Sequence, residues 1–108
     1  LTGTGTPFNA ANAHLGVGNS TTAFSAAHTD LQGASKTRKI VDSAPGLATN
    51  VMTFVATFGT GDANHAWDEV GVFNASSAGV MLCRVVQALG TKASGTWVLT
   101  HTVTVAAA

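Results

Sequence analysis

Four runs in the second half of the chain constrain its fold more than anything else. Met52–Phe58, Ala66–Phe73, Val80–Val86 and Trp97–Val105 each carry apolar, β-branched or aromatic residues between short glycine-bearing breaks. No helix-forming run of matching length separates them, and strands joined by short polar connections build antiparallel sheets. The last run is the cleanest. Trp97, Leu99, His101, Val103 and Val105 alternate with Val98, Thr100, Thr102 and Thr104, the period of a strand with one covered face. Met52, Phe54, Ala56 and Phe58 form a second such row. A lone hairpin cannot bury both rows, whereas two sheets packed face to face can. The expected fold is therefore all-β: a small antiparallel β-sandwich, Greek-key or jelly-roll-like, with Phe54, Phe58, Trp97, Leu99 and Val103 in its core.

The remaining segments fill in this plan. Val80–Val86 is apolar apart from Arg84, as for a strand covered on both faces. Asn74–Gly79 reads as a polar hairpin connection and Leu89–Gly95 as the last long turn. In Ala66–Phe73, Trp67, Glu69, Gly71 and Phe73 run opposite in phase to Val70 and Val72, which predicts a bulge near Asp68–Glu69. Upstream, His14–Gly18 is a short strand with Leu15 and Val17 on one face, Thr37–Val41 is another, and Pro45–Gly46 is a turn. Thr21 or Thr22 can cap one or two helical turns over Ala23–His28, the one helix candidate. That segment reads equally as an irregular crossover held by Phe24 and Leu31 in the core, and it keeps an open α+β sheet as the second architecture. Gly3, Gly5 and Pro7 oppose regular structure near the start. Residues 1–12 are expected to form an extended arm carrying Leu1 and Phe8 as apolar anchors, ahead of a single domain over 13–108.

A chain of 108 residues is long enough for one core without a metal or disulfide staple. Its 9% of charged residues is far below the roughly 25% of an ordinary soluble domain. Five acidic residues balance five basic ones. Such a neutral surface favours contact with other subunits and argues against a direct nucleic-acid role, which draws on basic surface. Only Lys36, Arg38 and Lys39 cluster. They read as a charged strand edge kept from wrong pairing or, with Leu1 and Phe8, as part of an interface. Cys83 is the only cysteine, so no internal disulfide forms, and its strand setting predicts a buried structural thiol. No apolar run approaches the about 18 residues of a membrane helix, so no membrane role is expected.

Signs of chemistry are few. His14, His28, His65 and His101 are dispersed, with no His-x-x-x-His pair or Cys/His cluster for a metal. His65, Asp68 and Glu69 come nearest to a site, yet a strand sets Asp68 on the face opposite the other two. Asp62 and Asn64 lack the spacing of a calcium loop, and no Gly-x-Ser-x-Gly elbow is present. Gly3-Thr-Gly5 and Gly16-Val-Gly18 do not continue as phosphate loops. Trp67 and Trp97 are expected in the core or an interface; stacking on a sugar or base is the competing use. No catalytic residue, metal or cofactor is expected, and the chain is not expected to be an enzyme.

The run Phe58–Asn74, FGTGDANHAWDEVGVFN, resembles a segment recurring in small virion proteins of tailed bacteriophages. So do Gly79–Leu82, the Leu89–Lys92 turn, Trp97–Thr104 and, upstream, Leu15–Thr22 and Thr29–Leu31. The resemblance spans most of the chain, and its motifs mark strands and turns without catalytic residues. It implies a non-enzymatic structural protein of the virion, made in the host cytoplasm. The leading expectation is a capsid decoration or cement protein that binds its own copies and a major capsid or tail protein. A tail, neck or fibre component is the alternative within that class. A carbohydrate- or receptor-binding module, using Trp67 or Trp97 on loops, is the alternative outside it.

Overall fold

The computed structural model describes residues 12–104 apart from 26, 44 and 49. Seven strands run in the order β1 (His14–Gly18), β2 (Lys36–Ile40), β3 (Gly46–Ala48), β4 (Val51–Phe58), β5 (Ala66–Phe73), β6 (Met81–Thr91) and β7 (Trp97–Thr104). They form two sheets, β2-β1-β5-β6 and β3-β4-β7, with every pairing antiparallel. The architecture is the expected all-β sandwich. Leu1, Phe8 and the arm assigned to 1–12 lie outside the described residues except for Asn12. Ala13 is fully buried, and its carbonyl accepts a hydrogen bond from the Val41 N–H at 3.0 Å.

The inner faces meet where alternation placed them. Phe54, Ala56 and Phe58 of β4 are fully buried, as are Leu15 and Val17 of β1 and Val72 of β5. Along β7, Trp97, Leu99, His101 and Val103 lie opposite Phe58, Ala56, Phe54 and Met52. They share the core face but are only half-buried, a correction to the expectation for Trp97, Leu99 and Val103. The cause is position: β4 is the central strand of its sheet and β7 an edge, so solvent reaches the β7 row from the side. Trp67 is the deeper indole, 2% exposed, with its ring edge-on between Phe58 at 4.9 Å and Trp97 at 5.0 Å.

The bulge predicted at Asp68–Glu69 is present, with the extra residues on the partner strand. Trp67 faces Gly90 while Glu69 faces Val86, so Gln87, Ala88 and Leu89 lie against Asp68 alone. This irregularity lets Trp67 join Val70 and Val72 in one core cluster, where strict alternation had separated them. It also corrects the last turn. Leu89–Thr91, expected to be loop, belongs to β6, and Gly90 takes a φ of 105° that residues with a Cβ rarely adopt. Gly46–Ala48, adjoining the expected turn, pairs with β4 as a short strand.

No helix occurs among the described residues. At 21–28 the backbone is captured locally: Ser20 Oγ accepts from the Thr22 N–H at 3.0 Å and Ser25 Oγ from the Ala27 N–H at 3.3 Å. Such bonds compete with helical ones. The segment is the irregular crossover, anchored by Leu31 at 2% exposure while Phe24 is 59% exposed and outside the core. It covers the outer face of the four-stranded sheet, where Leu31 and Phe73 form a second apolar layer. That layer needs a floor without side chains. A Cβ on Gly16 would stand 2.7 Å from Phe73 Cε1, and one on Gly71 2.9 Å from the same atom.

Trp67→Ala is expected to destabilise the domain by about 3–5 kcal/mol, the range for deleting a buried aromatic. Trp97→Ala is expected to cost less, because one side of its ring already meets water. Denaturant unfolding of both variants checks the order.

Candidate functional site

The outer face of the four-stranded sheet carries the most organised polar group in the molecule. Arg38 of β2, Gly16 of β1, Gly71 of β5 and Arg84 of β6 lie in one cross-strand row. Glu69 sits one step along β5. Its Oε1 accepts from Arg84 Nε at 2.6 Å and from the Gln32 N–H at 2.8 Å, and its Oε2 accepts from the Gly33 N–H at 2.7 Å. Both charged side chains are completely buried. The carboxylate thus ties the crossover to the sheet beneath it and takes no part in a His65–Asp68–Glu69 cluster. His65 is engaged elsewhere: Nδ1 donates to its neighbour's carbonyl, Ala66 O, at 2.8 Å, so Nε2 accepts from the Thr37 hydroxyl at 3.2 Å. Among the described residues no group of three or more His, Cys, Asp or Glu side chains is placed to hold a metal ion.

The basic cluster is neutralised within the chain. Lys36 Nζ is 2.8 Å from Asp30 Oδ2, Arg38 Nη2 is 3.2 Å from Asp30 Oδ1, and Lys39 Nζ is 3.2 Å from Asp62 Oδ2. Arg38 Nη1 donates to the carbonyls of Ala75 and Ala78, both at 2.9 Å, and its guanidinium lies 3.6 Å over the Phe73 ring. Arg38 is therefore a structural clamp between β2 and the β5–β6 connection; Lys36 and Lys39 hold exposed surface pairs of small energetic weight. Burial pushes the Asp30 carboxyl up, but bonds from Lys36, the Leu31 N–H and Arg38 outweigh it and hold the group below its ordinary value.

Cys83 and His101 face each other between the sheets, Sγ to Nε2 at 3.5 Å. Burial raises the thiol's pKa and lowers the imidazole's. Both shifts favour the uncharged forms, the opposite of the thiolate–imidazolium state of a cysteine nucleophile. The thiol is half-buried, less enclosed than expected. Trp67 is buried against Phe58 and Trp97, with its indole N–H bonded to Ala63 O at 3.0 Å, so the ring presents no stacking face to a sugar.

The other side of the molecule is distinguished by what it lacks. After Glu69 the sequence contains two Lys or Arg residues, Arg84 and Lys92, and no Asp or Glu. Both are inside. Lys92 is 0% exposed, its Nζ donating to Gly59 O at 2.6 Å and Asn64 Oδ1 at 2.8 Å. The sequence places Lys92 in the Leu89–Gly95 turn, and no local signal marks its burial, because its acceptors come from the distant β4–β5 connection. The pairing of Glu69 with Arg84 was missed too, although one base in an apolar run beside an acid-bearing strand was a usable sign. With both cations internal, the surface of β6 and β7 is uncharged. Val80, Val85, Val86 and Val98 are 57%, 40%, 37% and 62% exposed, alongside Gln87, Thr100, Thr102 and Thr104. β6 and β7 are the edges of their two sheets, and the Cys83–His101 contact sets them on the same flank.

Glu69→Ala is expected to destabilise by about 3–5 kcal/mol, because it leaves the Arg84 charge buried without its partner; thermal and urea unfolding measure it. Asp30 adds an acid-side effect. A carboxyl with a lowered folded pKa contributes stability that is present above its unfolded pKa and lost as pH falls through the folded one. Asp30→Asn should therefore flatten the loss of stability on the acid side, read from unfolding midpoints across that range.

The chain matches no protein-family model, no curated protein and no solved structure.

Proposed function

We propose that this chain is a non-enzymatic structural protein of a virion, a decoration or cement subunit that binds its own copies and a larger shell protein through the β6–β7 flank. The observation that carries this reading is the burial of Arg84 and Lys92, which leaves two neighbouring strand edges with no exposed Lys, Arg, Asp or Glu among the described residues. Soluble domains guard open edges with charge, proline, bulges or very short strands, and of these β6 carries only the irregularity at Gln87–Leu89. β6 has eleven residues and β7 eight, and neither contains proline or an exposed charged side chain. Such edges fit a partner that completes the sheet: covering exposed valines is favourable, and threonine hydroxyls that find a hydrogen bond avoid the far larger cost of desolvating a charge. The likeness of Phe58–Asn74 and Trp97–Thr104 to small phage virion proteins supports the same class. A tail, neck or fibre subunit would use the same flank in a ring. Catalysis has no support in the arrangement of the histidines, Cys83 or the acids, and the buried Trp67 offers no ring face to a sugar.

Val98→Lys and Thr100→Lys place charge on the outer face of β7 at exposed positions. Together they are expected to weaken self-association and co-sedimentation with shells of the phage's own capsid protein by tenfold or more. The unfolding free energy should stay within about 1 kcal/mol, the span of strand propensities. Sedimentation velocity over a concentration series reads the first effect. A wild-type chain that stays monomeric and leaves such shells unbound would overturn the reading.

A further inference from the structure

The open side of β6 carries a groove that the crossover helps to wall. Two bonds fix which way the backbone faces along the sheet. Ala13 O accepts from the Val41 N–H and Ser35 O from the Asn19 N–H, both at 3.0 Å, so odd-numbered residues of β1 face β2 and even-numbered ones face β5. Carried across the registers of β1 with β5 and of β5 with β6, the alternation turns the N–H and C=O of Cys83 and Val85 toward β5. Those of Arg84 and Val86 point to the open side. Beside them lies a cavity of about 380 Å³, lined by Phe24, His28, Met81, Leu82, Cys83 and Arg84. The Arg84 side chain is fully buried against Glu69, so the groove offers open backbone and apolar wall rather than charge. Phe24, exposed on the crossover at 59%, stands over it.

The chain's own upstream segment is long enough to fill this groove. His14 lies opposite Phe73, and Phe73 opposite Met81. The start of β1 is therefore on the same cross-strand row as the groove, two strand spacings or about 10 Å from β6. β1 and β6 are both antiparallel to β5 and so run the same way. A segment that follows the open side of β6 and leads into the start of β1 must run antiparallel to β6. Residues 1–11 precede the described part of the chain. Six residue steps separate Phe8 from His14 and span up to about 20 Å, more than the about 14 Å of three strand spacings. The sequence LTGTGTPFNAA has no charged side chain and one aromatic, Phe8, which suits an uncharged groove with an apolar wall. With its backbone facing β6 beside Leu82–Arg84, Phe8 would carry its ring on the same outer face as Phe24. Pro7 then turns its missing N–H to solvent, the orientation in which an edge strand tolerates proline.

We propose that residues 2–8 add a further strand to the open side of β6, antiparallel to it and in the same molecule, with the Phe8 ring in the groove against Phe24 and Met81. This goes beyond the assembly reading: β6 is completed from within the chain, and β7 is the edge offered to other copies. The test is amide hydrogen exchange, read residue by residue by NMR in the intact protein. The Arg84 and Val86 amides are expected to be protected. Thr6→Pro removes an N–H aimed at β6 and should speed their exchange by about tenfold or more. Gly5→Pro, whose lost N–H points away from β6, should leave it unchanged. Val98→Lys with Thr100→Lys should also leave it unchanged, so a failure of the assembly reading is not mistaken for a failure here. A nuclear Overhauser contact between the Phe8 ring and the Met81 methyl, sought within labelled chains and between labelled and unlabelled ones, tells a strand of the same molecule from one exchanged between copies. Freely exchanging Arg84 and Val86 amides, or equal responses to Thr6→Pro and Gly5→Pro, would overturn the proposal. A contact found only between chains would overturn it in favour of an exchanged arm.

Discussion

The Glu69 carboxylate is the interaction on which the four-stranded sheet's outer layer depends. A single side chain holds a cation from β6 and two backbone N–H groups from the 30–33 segment, joining pieces that no strand pairing connects. Without that junction the crossover has Leu31 as its one buried apolar anchor among the described residues, too little to order a segment with no ladder of its own. The charge itself is costly to bury and is tolerated because three donors meet it. The second apolar layer of Leu31 and Phe73 follows from this junction, since it forms only if the crossover lies flat over Gly16 and Gly71.

The β6–β7 flank and the β2 end of the four-stranded sheet are built on opposite rules. At β2, Lys36, Arg38 and Lys39 stand at the edge and are matched by Asp30 and Asp62, which discourages further strand pairing there. At β6 and β7 the cations point inward, toward Glu69 and toward Gly59 and Asn64. One edge is closed and the other left open. The two flanks thereby differ in charge, without any residue of special chemistry.

How much of this was legible in the sequence depended on whether the signal was local. Period-two rows located β1, β4, β5 and β7 within a residue, because alternation reflects one-sided burial directly. They could not show that β7 is an edge, since central and edge strands alternate alike, and Trp97 was placed too deep for that reason. The Ala23–His28 helix failed because Ser20 and Ser25 divert the backbone, a competition that propensity alone does not weigh. β6 outran its apolar run because Gln87 and Ala88 occupy the bulge, where no inward position exists to mark them. Arg84 stands out as one base in an apolar run, but nothing local names its partner, and Glu69 and Lys92 carry no local sign of burial until the tertiary fold supplies their partners. In the candidate site, the basic cluster was visible as composition, but its neutralisation by Asp30 and Asp62 was not.

The pairing of β1 with β5 has a consequence for how the chain is made. Residues 14–18 dock against residues 69–73, and everything between them, including the other sheet's β3 and β4, must be looped out first. During synthesis the early segments therefore leave the ribosome with β2 as the sole sheet neighbour of β1 and no opposing core. The uncharged β6 and β7 edges are the last of the seven strands to emerge. A vectorial order of this kind leaves the uncharged flank unformed until the strands that support it have emerged, a timing written into topology alone.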